Sequence, residues 1–206
     1  MVEDSHEMFE DGTVNFGSIP DVGVGLDFMT EKIGMEMLDT RVRCLTSWFL
    51  ERLGGLRHSD GSPMAVIYGP QDAGCKMRGG TVAFNLLDGE GKVVDERLVG
   101  YESAAARISL RTGCFCNPGA GEAALGVGRE VLERARRLVE GWRGSGKEFD
   151  FDEFLRGVGL ETAGAIRVSF GVASNVGDLE RFFGFVEKTY RDRVTSGEGL
   201  PFRMGC

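Results

Sequence analysis

The chain has 206 residues, enough to bury a substantial core and to form one domain or one and a half. Its 42% hydrophobic and 27% charged residues are those of a soluble globular protein, and no apolar run approaches the roughly 18 residues that would span a bilayer. A formal net charge of −8 argues against nucleic acid or an anionic membrane as partner.

The first residues, Val2-Glu3-Asp4-Ser5-His6-Glu7, are acidic and so are neither a secretory signal nor a transit peptide. Five cysteines, an odd number without framework spacing, suit a reducing compartment and predict a cytoplasmic protein. Cys44, Cys75 and Cys206 lie far apart and the only histidines are His6 and His58, so no zinc pattern is present.

Residues 1–29 lack a sustained period and carry the loop formers Gly12, Gly17, Pro20, Gly23 and Gly25, with Asp11-Gly12-Thr13 reading as a turn. From Thr30 to about Leu56, the residues Leu38, Val42, Leu45, Phe49 and Leu53 recur at helical spacing. They predict one long helix that Thr30 caps and Gly54-Gly55 ends, with Cys44 and Trp48 packed in its interface. His58–Pro63 reads as a loop and Met64–Tyr68 as a short buried strand. Gly69–Gly80 is a loop or sheet crossover in which Cys75 and Lys76 are solvated, and Thr81–Leu87 alternates as a strand does. A turn at Asp88–Lys92, a helix over Glu96–Ala106 and a strand over Ile108–Leu110 follow.

The next stretch is Arg111-Thr112-Gly113-Cys114-Phe115-Cys116-Asn117-Pro118-Gly119-Ala120, with a helical pattern from near Gly121. Its glycines admit backbone angles closed to other residues and Pro118 fixes one turn position, so a strand delivers a rigid loop bearing two thiols and an arginine. Read as chemistry, Cys-x-Cys beside an arginine suggests an activated thiolate, because a neighbouring cation lowers a thiol pKa. Read as packing, it is two buried cysteines acting as small hydrophobes. Spacing alone leaves both open.

Beyond the loop, an amphipathic helix is expected over Gly128–Trp142, with Arg134, Arg136 and Arg137 on a solvated basic face. A break at Gly144-Ser145-Gly146, a shorter helix at Phe151–Val158 and a last strand at Ala165–Phe170 come next. Leu179, Phe182, Phe183, Val186 and Tyr190 describe a final helix capped by Asn175 or Asp178, and Thr195–Cys206 reads as a mobile tail.

The cysteine stretch Arg111–Ala120 resembles the loop of molybdenum cofactor sulfurases, in the class V aminotransferase and cysteine desulfurase group of pyridoxal phosphate enzymes. Phe9-Glu10-Asp11-Gly12-Thr13-Val14-Asn15-Phe16 resembles the family's F-E-x-G-T-x-N segment. Gly164-Ala165-Ile166-Arg167-Val168-Ser169-Phe170-Gly171 resembles its G-x-x-R-x-S-F-G strand, so three motifs agree in order. The resemblance implies the C-terminal portion of a fold-type-I transferase, an α/β chain whose small domain is α+β. By it, residues 1–29 are a remnant of the large cofactor domain, 30–57 a connecting helix, 58–193 the small domain and 194–206 the mobile tail.

The same resemblance implies roles. Cys116 is the thiolate that takes sulfur from L-cysteine, with Cys114 the weaker candidate. Arg167 clamps the substrate carboxylate, since a guanidinium pairs both oxygens at once, and Arg111 helps to position loop or substrate. Gly12 and Thr13 are donors to the phosphate of pyridoxal phosphate across a homodimer, and molybdenum cofactor receives the sulfur in the family. None of the five lysines, Lys32, Lys76, Lys92, Lys147 and Lys188, sits in the setting of the family's Schiff-base segment, which lies upstream of Gly12-Thr13 in relatives. The chain is therefore expected to be part of such an enzyme, active only with an N-terminal partner chain. Gly121 also stands where the group commonly has a cysteine. The alternative is a non-catalytic small domain that carries sulfur on Cys116 or binds a full-length relative.

Overall fold

Along Thr81–Leu86 the side chains alternate, with Val82, Phe84 and Leu86 wholly buried in one row and Ala83 and Asn85 directed to the other face. This segment is β2 of a four-stranded sheet in the computed structural model, which describes residues 12–72, 78–145, 149–201 and 203. The other strands are β1 (Ala65–Tyr68), β3 (Arg111–Gly113) and β4 (Ala165–Ser169), and the order is β1-β2-β4-β3. Every neighbouring pair is antiparallel, with Tyr68 opposite Ala83, Ala83 opposite Arg167 and Phe84 opposite Ile166. An antiparallel sheet of this kind can pack one face on a core and leave the other polar.

The helices are α1 (Ile19–Asp27), α2 (Met35–Gly55), α3 (Glu96–Ala105), α4 (Pro118–Ala124), α5 (Arg129–Ser145), α6 (Phe151–Val158) and α7 (Val176–Tyr190). The chain divides into two units, Met1–Arg41 and Val42–Cys206, with the boundary inside α2. In the second unit, Leu45, Phe49, Leu50 and Leu53 of α2 and Leu179, Phe182, Phe183 and Val186 of α7 form one cluster with the buried row of β2. Phe49 is at its centre, with ring centroids of Phe84, Phe170, Phe182 and Phe183 at 5.1–6.0 Å. Side chains of this size each contribute roughly 1.5–3 kcal/mol when fully buried. Farther along, α5 and α6 pack through Trp142, which meets Phe154.

Several expectations shift. Residues 16–29, read as irregular, are helical: a 3₁₀ turn at Phe16–Ser18 leads into α1, where Pro20 sits in the first turn, a position that needs no N–H donor. Thr30 is not a cap. Its hydroxyl donates to Leu26 O and Asp27 O within continuing helix, and Gly34 at φ 84° makes the break before α2. Cys44 is exposed rather than packed, whereas Trp48 does pack, edge-on to Phe183 at 5.6 Å. Cys75, Lys76, Lys147 and Cys206 lie outside the described residues. Among the described residues no helix is long and apolar enough to cross a membrane, and no cluster of side chains could hold a metal ion.

Two described residues of the segment read as a mobile tail, Thr195 and Arg203, are tied to the second unit. Thr195 N–H donates to Asp88, and Arg203 pairs with Asp95, Glu96 and Asp152. Arg97 joins the same network through Asp95 and Asp152. Burial would raise the Asp88 carboxyl pKa, but backbone N–H groups of Thr195, Glu90 and Lys92 outweigh it and hold the pKa below the ordinary value. The Asp95 pKa is likewise lowered: burial opposes, and Arg97 and Arg203 win.

Because both folded-state pKa values lie below the unfolded ones, their stabilisation is complete above the unfolded carboxylate range, near pH 4, and is lost as pH falls through the folded values. Thermal melts should therefore be flat from neutral pH to about pH 5 and fall steeply below about pH 4. Asp88→Asn should cost about 1–3 kcal/mol at neutral pH and shallow the acid limb. An unchanged acid limb in this variant would remove Asp88 from that role.

Candidate functional site

β3 begins three residues later than the apolar run suggested, at Arg111, so the arginine is a strand residue and not part of a loop. Its partner across the ladder is Arg167 of β4. Ile166 beside Arg167 is wholly buried in the core, so Arg167 faces the opposite side of the sheet, and register puts Arg111 there too. Both are exposed, and neither has an acidic partner among the described residues. Two like charges directly opposite on neighbouring strands repel, so among the described residues the pair is an uncompensated cationic centre. Ala83, across β4's other side from Arg167, leaves room beside it.

The β3–β4 ladder is close at its end. A Cβ at Gly164 would stand 2.5 Å from the carbonyl carbon and oxygen of Gly113, so only glycine fits. From Gly113, at φ 118°, the chain turns into Cys114-Phe115-Cys116 and straight into α4. The helix starts at Pro118 rather than near Gly121, because Asn117 caps it: its side chain accepts from Ala120 N–H at 3.2 Å, and Pro118 fills the first turn.

Both loop cysteines are exposed, which overturns the buried-hydrophobe reading. Cys114 is disulfide-bonded, a linkage its spacing did not announce, and Cys116 is free. The two sulfurs lie 3.1 Å apart. Cys116 has φ 54°, a left-handed backbone that costs a non-glycine residue on the order of 1 kcal/mol or more. Phe115 between them turns inward, meets the Tyr68 ring edge-on at 5.8 Å, and with Val66, Ala83, Ala120 and Ala123 lines a pocket of about 550 Å³ between α4 and the sheet. Tyr68 and Asn85, which support this pocket from β1 and β2, went unnoticed in the sequence. The signal available was an asparagine inside the apolar run Phe84-Asn85-Leu86.

Gly12 and Thr13 belong to the first unit, where both are exposed and Gly12 takes φ 137°. The described lysines are not placed as cofactor lysines: Lys32 and Lys188 are exposed, and Lys92 pairs with exposed Glu90 at 2.8 Å. Among the described residues, Gly12 and Thr13 carry donors of the kind a cofactor phosphate takes.

The repulsion has a stability consequence. Replacing Arg111 by threonine, a good strand residue, should raise the unfolding free energy by about 0.2–1 kcal/mol. Denaturant titration reads this directly. A loss of stability would mean that the two guanidinium groups do not repel as their register requires.

No family model matches the chain. It is 35% identical over 195 residues to a molybdenum cofactor sulfurase of Drosophila mojavensis, covering 90% of this chain and 23% of that protein. It is 30% identical over 200 residues to the Bos taurus molybdenum cofactor sulfurase, covering 96% of this chain and 21% of that one. Among solved structures, the apo cysteine desulfurase of Thermococcus onnurineus NA1 is similar at a TM-score of 0.51 and 21% identity, over 89% of this chain and 33% of that one. That likeness shows a shared fold over the third of that chain which is covered. The chain spans only about a fifth to a quarter of the curated relatives' length. Over the segment it covers, the chain is similar to members of the molybdenum cofactor sulfurase family.

Proposed function

We propose that this chain is the thiol-bearing part of a pyridoxal phosphate-dependent cysteine desulfurase that supplies sulfur to molybdenum cofactor. The observation that carries the reading is the uncompensated pair Arg111–Arg167 on the strands that deliver the free thiol of Cys116. A cationic pair with no anion among the described residues is suited to a ligand carboxylate, which two guanidinium groups can hold by paired N–H donors. With the carboxylate of L-cysteine held there, the substrate sulfur is kept near the loop and Cys116 receives it as a persulfide. Cys114, being disulfide-bonded, is not the acceptor in this state. Gly12 and Thr13 offer backbone N–H groups and a hydroxyl to the cofactor phosphate, and the cofactor's Schiff-base lysine comes from an N-terminal partner region, in a homodimer or a second chain. The cofactor, when bound, supplies the electron sink for breaking the carbon–sulfur bond. This chain's share is to hold the carboxylate and present the thiolate.

The second unit has its own core, so thiol loading can be tested without the cofactor. In that assay the Cys116 thiolate attacks the outer sulfur of a small persulfide, the donor S–S bond breaks, and the donor leaves as its thiolate. Peptide mass spectrometry should find one added sulfur on Cys116, arriving faster from cysteine persulfide than from an uncharged alkyl persulfide. Arg167→Leu should erase that preference, roughly a tenfold change for a lost charged pair. Sulfur on other cysteines, or a preference that survives Arg167→Leu, would sink the reading. With L-cysteine and pyridoxal phosphate instead, the chain alone should make no alanine. If it does, the cofactor site is in this chain after all.

A further inference from the structure

Asn85 is wholly buried, on the face of the sheet that carries the arginine pair. Its Nδ2 donates to two oxygens, Tyr68 Oη at 3.0 Å and the Gly164 carbonyl at 3.0 Å. The carbonyl can only accept, which fixes the amide orientation, so Tyr68 Oη is an acceptor here. Asn85 Oδ1 is buried with no hydrogen-bond partner in the described protein. Such an atom is desolvated without compensation, and a leucine in its place would avoid that cost. The residue's value lies in what its two donated bonds position.

Those bonds lead to the cysteine loop from two sides. One holds Gly164, whose backbone abuts Gly113 at the point where β3 ends. The other holds the Tyr68 ring, whose edge contact with Phe115 at 5.8 Å anchors the residue between Cys114 and Cys116. Phe115 also packs on the Gly121 position of α4, where a Cβ would meet its ring at 3.7 Å. Cys116, held at φ 54°, does not favour its own conformation and needs neighbours to impose it.

We propose that Asn85 and Tyr68 are positioning residues for the Cys116 thiol: the amide orients the tyrosine ring, the ring seats Phe115, and Phe115 holds Cys116 in its left-handed backbone. The inference rests on the reading of Cys116 as the reactive thiol.

The test is the rate of iodoacetamide alkylation at Cys116 in the full chain, read by peptide mass spectrometry between about pH 6 and pH 10. Cys44, free and exposed on α2, is the internal standard in the same sample. Tyr68→Phe removes one hydroxyl and keeps the ring, Tyr68→Leu removes both, and Asn85→Leu removes the amide. The expected result is a change in the Cys116 rate of roughly two- to tenfold, and a displaced pH midpoint, with Cys44 unaltered and with Tyr68→Phe closer to wild type than Tyr68→Leu. If Asn85→Leu fails to fold, the two tyrosine variants decide. Unchanged rate and midpoint at Cys116 in folded Tyr68→Leu would overturn the inference while leaving the thiol reading intact. A wild-type Cys116 that cannot be told from Cys44 in rate and midpoint would overturn the thiol reading, and this inference with it.

Discussion

Three residue pairs hold the site together. β3 is an edge strand of only Arg111, Thr112 and Gly113, and its whole ladder is with Arg167, Ile166 and Ala165 of β4. The ladder closes tightly because Gly164 has no side chain to strike the Gly113 carbonyl. On its other side Gly100 of α3 is equally bare, for a Cβ there would lie 3.1 Å from Thr112 Oγ1. A short edge strand is a weak element by itself, and here two glycines allow a helix and a strand to approach it closely. The arginine pair and the take-off direction of the cysteine loop both follow from that register, since a slip of one residue would turn Arg111 toward the core.

The support extends beyond the sheet as a polar line through the protein. Arg203 pairs with Glu96 at the start of α3, and Glu96 accepts from the Thr162 hydroxyl at 2.6 Å. Thr162 Oγ1 in turn accepts from Gly164 N–H at 3.1 Å, and the Gly164 carbonyl accepts from Asn85. Each buried charge in this line has a partner, which matters because an ion left alone in such a place costs several kcal/mol. Arg203, in a polar and glycine-rich stretch after α7, therefore belongs to the framework that sets β4.

Much of the fold was legible in the sequence because it rests on periodicity. Val82, Phe84 and Leu86 alternate, and Leu45, Phe49 and Leu53 share a helical face, so both elements follow from apolar spacing. What escaped was set by atoms distant in sequence. Ile108 and Leu110 looked like the strand, yet they pack against the core while backbone pairing with β4 begins only at Arg111. The helix start at Pro118 hid behind the loop-like Asn-Pro-Gly, although asparagine as cap and proline in the first turn are ordinary helix beginnings. Residues 19–27 looked irregular because glycine and proline count against a helix in isolation, and yet they form α1. At the site, motif resemblance named Cys116, Arg167 and Arg111, but no local pattern could show that the two arginines lie opposite each other. Nor could it show that Asn85, 79 residues from Gly164, binds its carbonyl.

The two faces of the sheet divide the energetics. The face toward α2 and α7 carries the aromatic and aliphatic core, whose apolar burial is stabilising. The opposite face concentrates local costs: two like charges in register, a cysteine in left-handed backbone and a buried amide oxygen without a partner. Each is worth on the order of 1 kcal/mol, and none improves folding. An anion seated between Arg111 and Arg167 would relieve the first of them, so its binding and the stability of the β3–β4 ladder are thermodynamically linked, each favouring the other. The loop that carries Cys116 leaves from that same ladder. Occupation of the arginine pair would therefore stiffen the base of the loop when a sulfur-bearing carboxylate is present, and the repulsion returns when it departs.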